Sequence, residues 1–257
     1  MALGTVIVGG SVAGVGTANE LRRLGYQDPI TIVDAQPHLP YDRPPLSKAL
    51  LTGQADLAAI TFHPAEHYED LDITIRSGVT AVGLDPARRR VELADGSRLE
   101  GAAVVLATGA RARPFPVGEH SGPVWTIREL ADVLGLRERL QRAHRVAVIG
   151  GGFIGAEVAS SARHLGLEVV VIEAARQPFE ALLGPEVATL LAGLHAEAGT
   201  ELRCGVRVQR VEQRPDGQRI HLADGSHVDA DVVVAGLGAV PEVAWLASSG
   251  LLVDGAV

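Results

Sequence analysis

Sulfur is almost missing from this chain. Cys204 is the only cysteine in 257 residues, so no internal disulfide and no CxxC redox pair can form. Long apolar runs are missing too, and no segment approaches the roughly 18 uninterrupted apolar residues of a membrane span. At the start, Met1 leads within a few residues into the strand-like "TVIVGG", without the basic, apolar and small-residue succession of a secretory leader. The expectation is a soluble protein of the cytoplasm. Cations are in deficit, 23 Lys and Arg against 31 Asp and Glu for a formal net charge of −8, whereas binding to a phosphate backbone needs clustered positive charge. Nucleic acid is therefore not expected as a partner. Apolar residues are plentiful at 47 %, enough to fill the core of one large domain or two modest ones.

The chain repeats itself. "VIVGGSVAG" from Val6 and "VAVIGGGFIG" from Val146 are each an apolar run leading into glycines and then helix formers. Gly9 and Gly150, Gly14 and Gly155, and Gly25 and Gly166 all lie 141 positions apart. Each repeat continues through "LRRLG" or "ARHLG" to a β-branched run ending in an acid, Asp34 or Glu173. "LADGS" occurs at Leu93 and again at Leu222, and Asp-Gly between alternating segments predicts a hairpin, hence a β-meander in each half. Each meander leads to an apolar strand ending in small residues, "VVLATG" at Gly109 and "VVVAGLG" at Gly236 and Gly238. Order and spacing together predict an α/β fold of two Rossmann-like nucleotide-binding units. The Pro- and Arg-rich "RARPFPVGEH" marks the boundary, giving units over residues 1–112 and 113–240, with 241–257 starting a return to the first. Apolar residues at Leu130, Val133, Leu134 and Leu140 predict an entry helix within 127–145, whose Arg137, Arg139 and Arg142 are read as a solvated face or an acidic partner's contact.

Gly150, Gly152 and Gly155 form a complete G-x-G-x-x-G, with glycines where the chain turns, meets pyrophosphate and packs helix on strand. Diphosphate is expected at the helix N-terminus. Glu173 is placed to accept from adenosine ribose hydroxyls and to repel the extra phosphate of NADP, so NAD is preferred although Arg176 lies three residues on. In the first turn Gly9 and Gly14 flank Ser11, whose small side chain can itself donate to phosphate. The segment "PHLPYDRPPLSKALL" is too proline-rich to begin as helix or central strand and is expected to cross the surface or line a cleft, with Arg43 and Lys48 as cations on a stiff scaffold. A lysine in such a place can stabilise negative charge on a reduced flavin. Glu157 follows Gly155 by two residues, where the helix dipole alone favours an acid and where it could also orient a nicotinamide. The nine histidines are read as showing no His-x-x-x-His or Cys-His spacing, so no metal centre is expected, and no nucleophile elbow suggests a Ser-His-Asp set.

These stretches, above all "PHLPYDRPPLSK", with "ATGARARPFP" and "IGGGFIGAEVA", resemble the FAD-dependent ferredoxin reductases that pass electrons from NADH to the iron–sulfur partners of oxygenases and cytochromes P450. The resemblance covers essentially the whole chain. It implies the glutathione-reductase type of fold and an FAD-dependent NAD(P)H oxidoreductase of the putidaredoxin and rubredoxin reductase kind, with a [2Fe-2S] ferredoxin as partner. It implies that Ala13, Arg43, Lys48, Ala81 and the turn Ala107, Thr108 and Gly109 contact FAD, and that Gly152, Ile154, Glu157, Glu173 and Gly238 contact NAD. Lys48 and Glu157 are then the candidate catalytic residues. The chain departs from the family where a ribose-binding acid follows Asp34, since Ala35 stands there, and where Trp125 replaces an arginine. It also stops at Val257, before the family's second flavin segment and C-terminal domain, and is read as a fragment or a shortened form. Two other functions stay open: a nucleotide-binding protein without turnover, and a related flavoenzyme with rubredoxin, a quinone or a nitrite reductase subunit as acceptor. The missing cysteine pair separates it from disulfide reductases.

Overall fold

The computed structural model describes residues 3–116 and 122–251. Part of the expected boundary segment, 117–121, and the end of the expected return segment, 252–257, lie outside the described residues. In chain order the first elements are β1 (Thr5–Val8), α1 (Val12–Arg23), β2 (Ile30–Asp34), the short helices α2 (Ala49–Thr52), α3 (Leu57–Ile60) and α4 (Ala65–Asp70), and the strands β3 (Ile73–Ser77), β4 (Ala81–Asp85), β5 (Arg90–Leu93), β6 (Arg98–Glu100), β7 (Ala103–Leu106) and β8 (Ala110–Ala112). The second set runs β9 (Val124–Trp125), α5 (Leu130–Leu140), β10 (Arg145–Ile149), α6 (Phe153–His164), β11 (Glu168–Glu173), α7 (Glu180–Glu197), β12 (Glu201–Cys204), β13 (Val208–Arg214), β14 (Gly217–Leu222), β15 (His227–Ala230), β16 (Val232–Ala235) and β17 (Ala239–Pro241). The chain divides into two compact units, one of Met1–Arg43, Leu57–Arg111 and Val240–Val257, the other of Pro44–Asp56 and Ala112–Ala239.

In the first unit a parallel sheet has the order β3-β2-β1-β7, with Ile7 opposite both Ile32 and Val105. Parallel strands covered on both faces read as continuous β-branched runs, and "TVIV" and "ITIVD" do. Alternation assigns their side chains to two cores. Val6, Val8 and Val33 pack with Leu84, Val91 and Leu93 of the antiparallel meander β4-β5-β6 and with Leu246. Ile7, Ile30 and Ile32 pack with Val15 and Ala18 of α1 and with Tyr68 of α4. Burial pushes the Tyr68 phenol up to about 12. Arg22, at the end of α1, donates to the carbonyls of Leu71 at 2.6 Å and Asp72 at 2.7 Å, which fixes α1 against the end of α4.

The second unit repeats the plan with one strand more, in the order β12-β11-β10-β16-β9. Ala147, Ile149, Val170 and Ile172 pack on Val211, Ile220, Leu222 and Val228 of a second meander, β13-β14-β15. Both hairpins expected at "LADGS" form. The entry helix is α5, and Trp125 lies in β9 opposite Val234. Residues 44–56 pack with this second unit, although the expected boundaries place them in the first. They are also more structured than a surface loop: Pro44–Ser47 form a 3-10 turn followed by α2, with Leu46, Ser47, Leu50 and Leu51 buried. The cause is a set of contacts distant in sequence, among them the Ser161 hydroxyl of α6 donating to the Ser47 carbonyl at 2.6 Å. No helix of the described residues is long and apolar enough to cross a membrane.

Candidate functional site

Each glycine turn is built by the same contacts. Gly9 and Gly150 close β1 and β10 at φ 113° and 99°, a region that L side chains avoid. The Gly9 N–H donates to Val33 and the Gly150 N–H to Ile172, both at 2.8 Å, so each turn is held by the neighbouring strand. A Cβ on Gly14 would collide with the Gly9 carbonyl, and one on Gly155 with the Gly150 carbonyl. These two glycines let helix and strand approach, and they lie beneath the turns. Ser11 and Gly152 occupy the N-cap positions of α1 and α6, and neither helix start has a side-chain cap. The N–H groups there remain available to a ligand.

The acids at the strand ends have a structural role that their place in the motif does not announce. Asp34 accepts from the Gly10 N–H at 2.6 Å and the Gln36 N–H at 2.8 Å. Glu173 accepts from Gly151 at 2.6 Å and Ala175 at 2.8 Å. Both carboxylates thus brace their own glycine turn. The exposed Ala35, beside Asp34, offers no side-chain acceptor.

In the second unit these parts border an open cavity of about 470 Å³ lined by Gly150, Gly152, Glu173, Gly236 and Gly238 together with Phe115, Leu182, Val206 and Arg207. Five residues singled out in the sequence therefore line one cavity. The rest of the lining carries no motif. Val206 and Arg207 reach the cavity because the Gly205 N–H donates to Ala175 at 2.7 Å and the Val206 N–H to Glu173 at 3.3 Å, folding the chain after β12 over the end of β11. Arg207 is exposed and forms no ion pair among the described residues. Arg176, weighed earlier as a phosphate contact, lies instead 3.6 Å from Glu180. Cys204 is half-buried, and burial first and then Glu173 push its thiol up.

In the first unit the Ala107–Gly109 turn lies against Gly9, where a Cβ would strike the Ala107 carbonyl. The Thr108 hydroxyl donates to Glu242 at 2.8 Å, and the Gly109 carbonyl accepts from the Glu242 N–H at 2.9 Å. Ala13 is exposed on the first turn of α1, and Ala81 opens β4, buried opposite Leu93. Arg43 and Lys48, expected on one loop, belong to different units.

Lys48 and Glu157 meet. The ammonium lies 2.6 Å from Glu157 Oε1, and the Ser47 hydroxyl donates to Glu157 Oε2 at 2.5 Å. Lys48 is half exposed and Glu157 less so. Glu157 lies outside the lining of the glycine-turn cavity, as do Gly155 and Ile154, the last exposed on the first turn of α6. Ser47 is the partner that sequence reasoning missed, since 110 residues separate it from Glu157.

Residues 4–257 match the family model described as pyridine nucleotide-disulphide oxidoreductase. The chain is 36 % identical to rhodocoxin reductase of Rhodococcus erythropolis over 98 % of its own length and 60 % of the relative's. It is 35 % identical to putidaredoxin reductase of Pseudomonas putida over 98 % and 61 %. The crystal structure of the ferredoxin reductase for the CYP199A2 system of Rhodopseudomonas palustris superposes with a TM-score of 0.92 at 36 % identity, covering 98 % of this chain and 63 % of that one. The chain thus spans about three fifths of the length of these relatives. With its paired glycine turns, two meanders and near full-length match, the chain belongs to the pyridine nucleotide-disulphide oxidoreductase family.

Proposed function

We propose that this chain is the nucleotide-binding part of an NADH-dependent flavoprotein reductase whose electrons go to a ferredoxin-type [2Fe-2S] protein. The observation that carries the reading is the duplication of one diphosphate cradle, Gly9 to Gly14 and Gly150 to Gly155, each closed by its own acid. Both cradles fit a dinucleotide, because the collisions a Cβ would make show how tightly each turn is drawn under its helix start, leaving the N-terminal N–H groups free. The first unit would hold FAD through Ser11, Ala13, Asp34, Ala81 and the Ala107–Gly109 turn, with Arg43. The second would hold NAD through Gly152, Glu173, Gly236 and Gly238, with Ile154 beside it. When bound, the nicotinamide and flavin supply hydride and single-electron transfer.

The protein's own contribution is positioning and charge. Glu173, braced at both oxygens, retains lone pairs for ribose hydroxyls and places negative charge where NADP carries a phosphate. Lys48 supplies a cation whose place is set by Glu157, and Ser47 holds Glu157 in turn. The names of the relatives, rhodocoxin and putidaredoxin reductase, support the acceptor class. A cytoplasmic setting, without membrane or nucleic-acid partners, belongs to the same proposal and accords with the single cysteine and the excess of acids.

The test is spectroscopic. Purified chain mixed with FAD should become yellow and retain the colour through gel filtration. Anaerobic NADH should then bleach the band, and a [2Fe-2S] ferredoxin should restore it. Flavin that is retained but never bleached by NADH would refute the reductase reading and leave a binding protein. Bleached flavin reoxidised by a quinone and not by ferredoxin would move the acceptor to another class.

A further inference from the structure

One His-x-x-x-His spacing, which the sequence reading overlooked, takes no part in nucleotide binding as proposed: His63 and His67, either side of Pro64, Ala65 and Glu66 at the start of α4. Their rings are stacked, with centroids 3.8 Å apart and planes inclined by 18°. Both present Nε2 to a single side chain. Asn19 Nδ2 lies 3.2 Å from His63 Nε2, and Asn19 Oδ1 lies 3.3 Å from His67 Nε2. All three side chains are partly exposed, so the place is open to solvent. The Tyr68 ring meets both imidazoles edge-on, at 5.9 and 5.5 Å, and backs the pair from the buried side.

This arrangement differs from two histidines that happen to be neighbours on a helix. The amide N–H of Asn19 donates to His63 Nε2, so that nitrogen is unprotonated and its lone pair is directed at the Asn19 amide. The adjacent Nε2 of His67 faces the same amide, whose oxygen is a third donor. We propose that His63, His67 and the Asn19 amide oxygen bind one divalent first-row transition ion, of the Ni²⁺ or Zn²⁺ class. Neutral imidazole is the favoured nitrogen ligand for these ions, whereas Mg²⁺ and Ca²⁺ require oxygen cages that the place does not offer. The ion would replace the bridging amide hydrogens. His67 would shift its proton from Nε2 to Nδ1, Asn19 would turn its oxygen inward, and the rings would splay until both nitrogens stand about 2.1 Å from the metal. No group of three or more His, Cys, Asp or Glu able to hold a metal occurs among the described residues. With two imidazoles and one amide oxygen, water completes the shell, as in an open, exchangeable site. The bound ion would tie α1 to the start of α4 and stabilise the first unit by mass action.

The experiment uses tag-free full-length chain freed of metal with EDTA, melted in Ni²⁺, Zn²⁺ and Mg²⁺ and titrated by calorimetry. At about 100 times the dissociation constant, Ni²⁺ or Zn²⁺ should raise Tm by roughly 5–10 °C, and Mg²⁺ should leave it unchanged. Calorimetry should give one ion per chain. His63→Gln and His67→Gln, folded by circular dichroism, should each lose the rise and the binding heat, while His195→Gln, on α7 of the second unit, keeps both. No rise and no heat in the parent chain would overturn the proposal and leave the stack as a latch between helices. Binding that survives His63→Gln and His67→Gln would overturn it as well, by placing the ion elsewhere.

Discussion

A carboxylate oxygen has two lone pairs, and at Glu173 one on each oxygen is already taken by a backbone N–H. The side chain can therefore brace the turn and bind a ribose together, and a substitution should affect both. Hydrogen bonds to a charged group contribute about 1.5–3 kcal/mol each, so Glu173→Ala should lower Tm and weaken NADH at least tenfold. Glu173→Gln keeps an acceptor for one N–H and loses the charge. It should lose less stability than Glu173→Ala while narrowing the gap between NADH and NADPH, and fluorescence titration with both nucleotides decides. An unchanged ratio would remove Glu173 from the specificity. Lys48 presents the opposite case. Its ion pair is half exposed, and such pairs contribute at most about 1 kcal/mol. Lys48→Ala should leave Tm nearly unchanged yet slow the reduction of bound flavin by NADH in stopped flow; an equal rate would exclude Lys48 from the chemistry.

At the scale of elements, the junction of strand, turn and helix is held by close approach. Gly155→Val would drive side-chain carbon into the Gly150 carbonyl and push α6 off β10. Overpacking of this kind costs about 1–3 kcal/mol, so circular dichroism melts should show a lower Tm together with lost NADH binding. The second meander carries a different dependence. Glu212 is held at about 2, first by the His221 ring and then by Arg214 and Arg210. A carboxylate depressed in the folded state contributes stability that is fully present above its ordinary value near 4.5 and is lost as pH falls through about 2. The parent Tm should therefore drop between pH 4.5 and 2, and the drop should be shallower in Glu212→Gln. Identical slopes would show that the contact on this exposed face contributes nothing to stability.

For the whole molecule, the duplicated plan was legible because its signals are local. Glycines at Gly9 and Gly150, acids at Asp34 and Glu173, and Asp-Gly pairs in both hairpins each act within a few residues, and each repeats. The placement of residues 44–56 was not legible. It depends on Ser47 meeting Glu157 and Ser161 across more than a hundred positions, and proline in "PPLS" reads locally as loop while Leu46 and Leu51 are in fact buried. Arg207 and Phe115 were missed for a related reason, since they reach the cavity through the path of their loops and follow no spacing that a motif could encode. Gly14 and Gly155 were expected within the cofactor sites, Gly155 also as a packing glycine; the collisions a Cβ would make put both beneath their turns, while Ser11 and Gly152 hold the N-cap positions.

On the proposed reading, two equivalent cradles hold two different dinucleotides. Equilibrium titration of the purified chain with FAD and with NADH, alone and together, tests it directly when repeated on Gly14→Val and Gly155→Val. One FAD and one NADH per parent chain are expected, bound without mutual exclusion, with Gly14→Val losing FAD alone and Gly155→Val losing NADH alone. Competition of FAD and NADH for a single site, or loss of both ligands from either variant while the other unit stays folded, would contradict it.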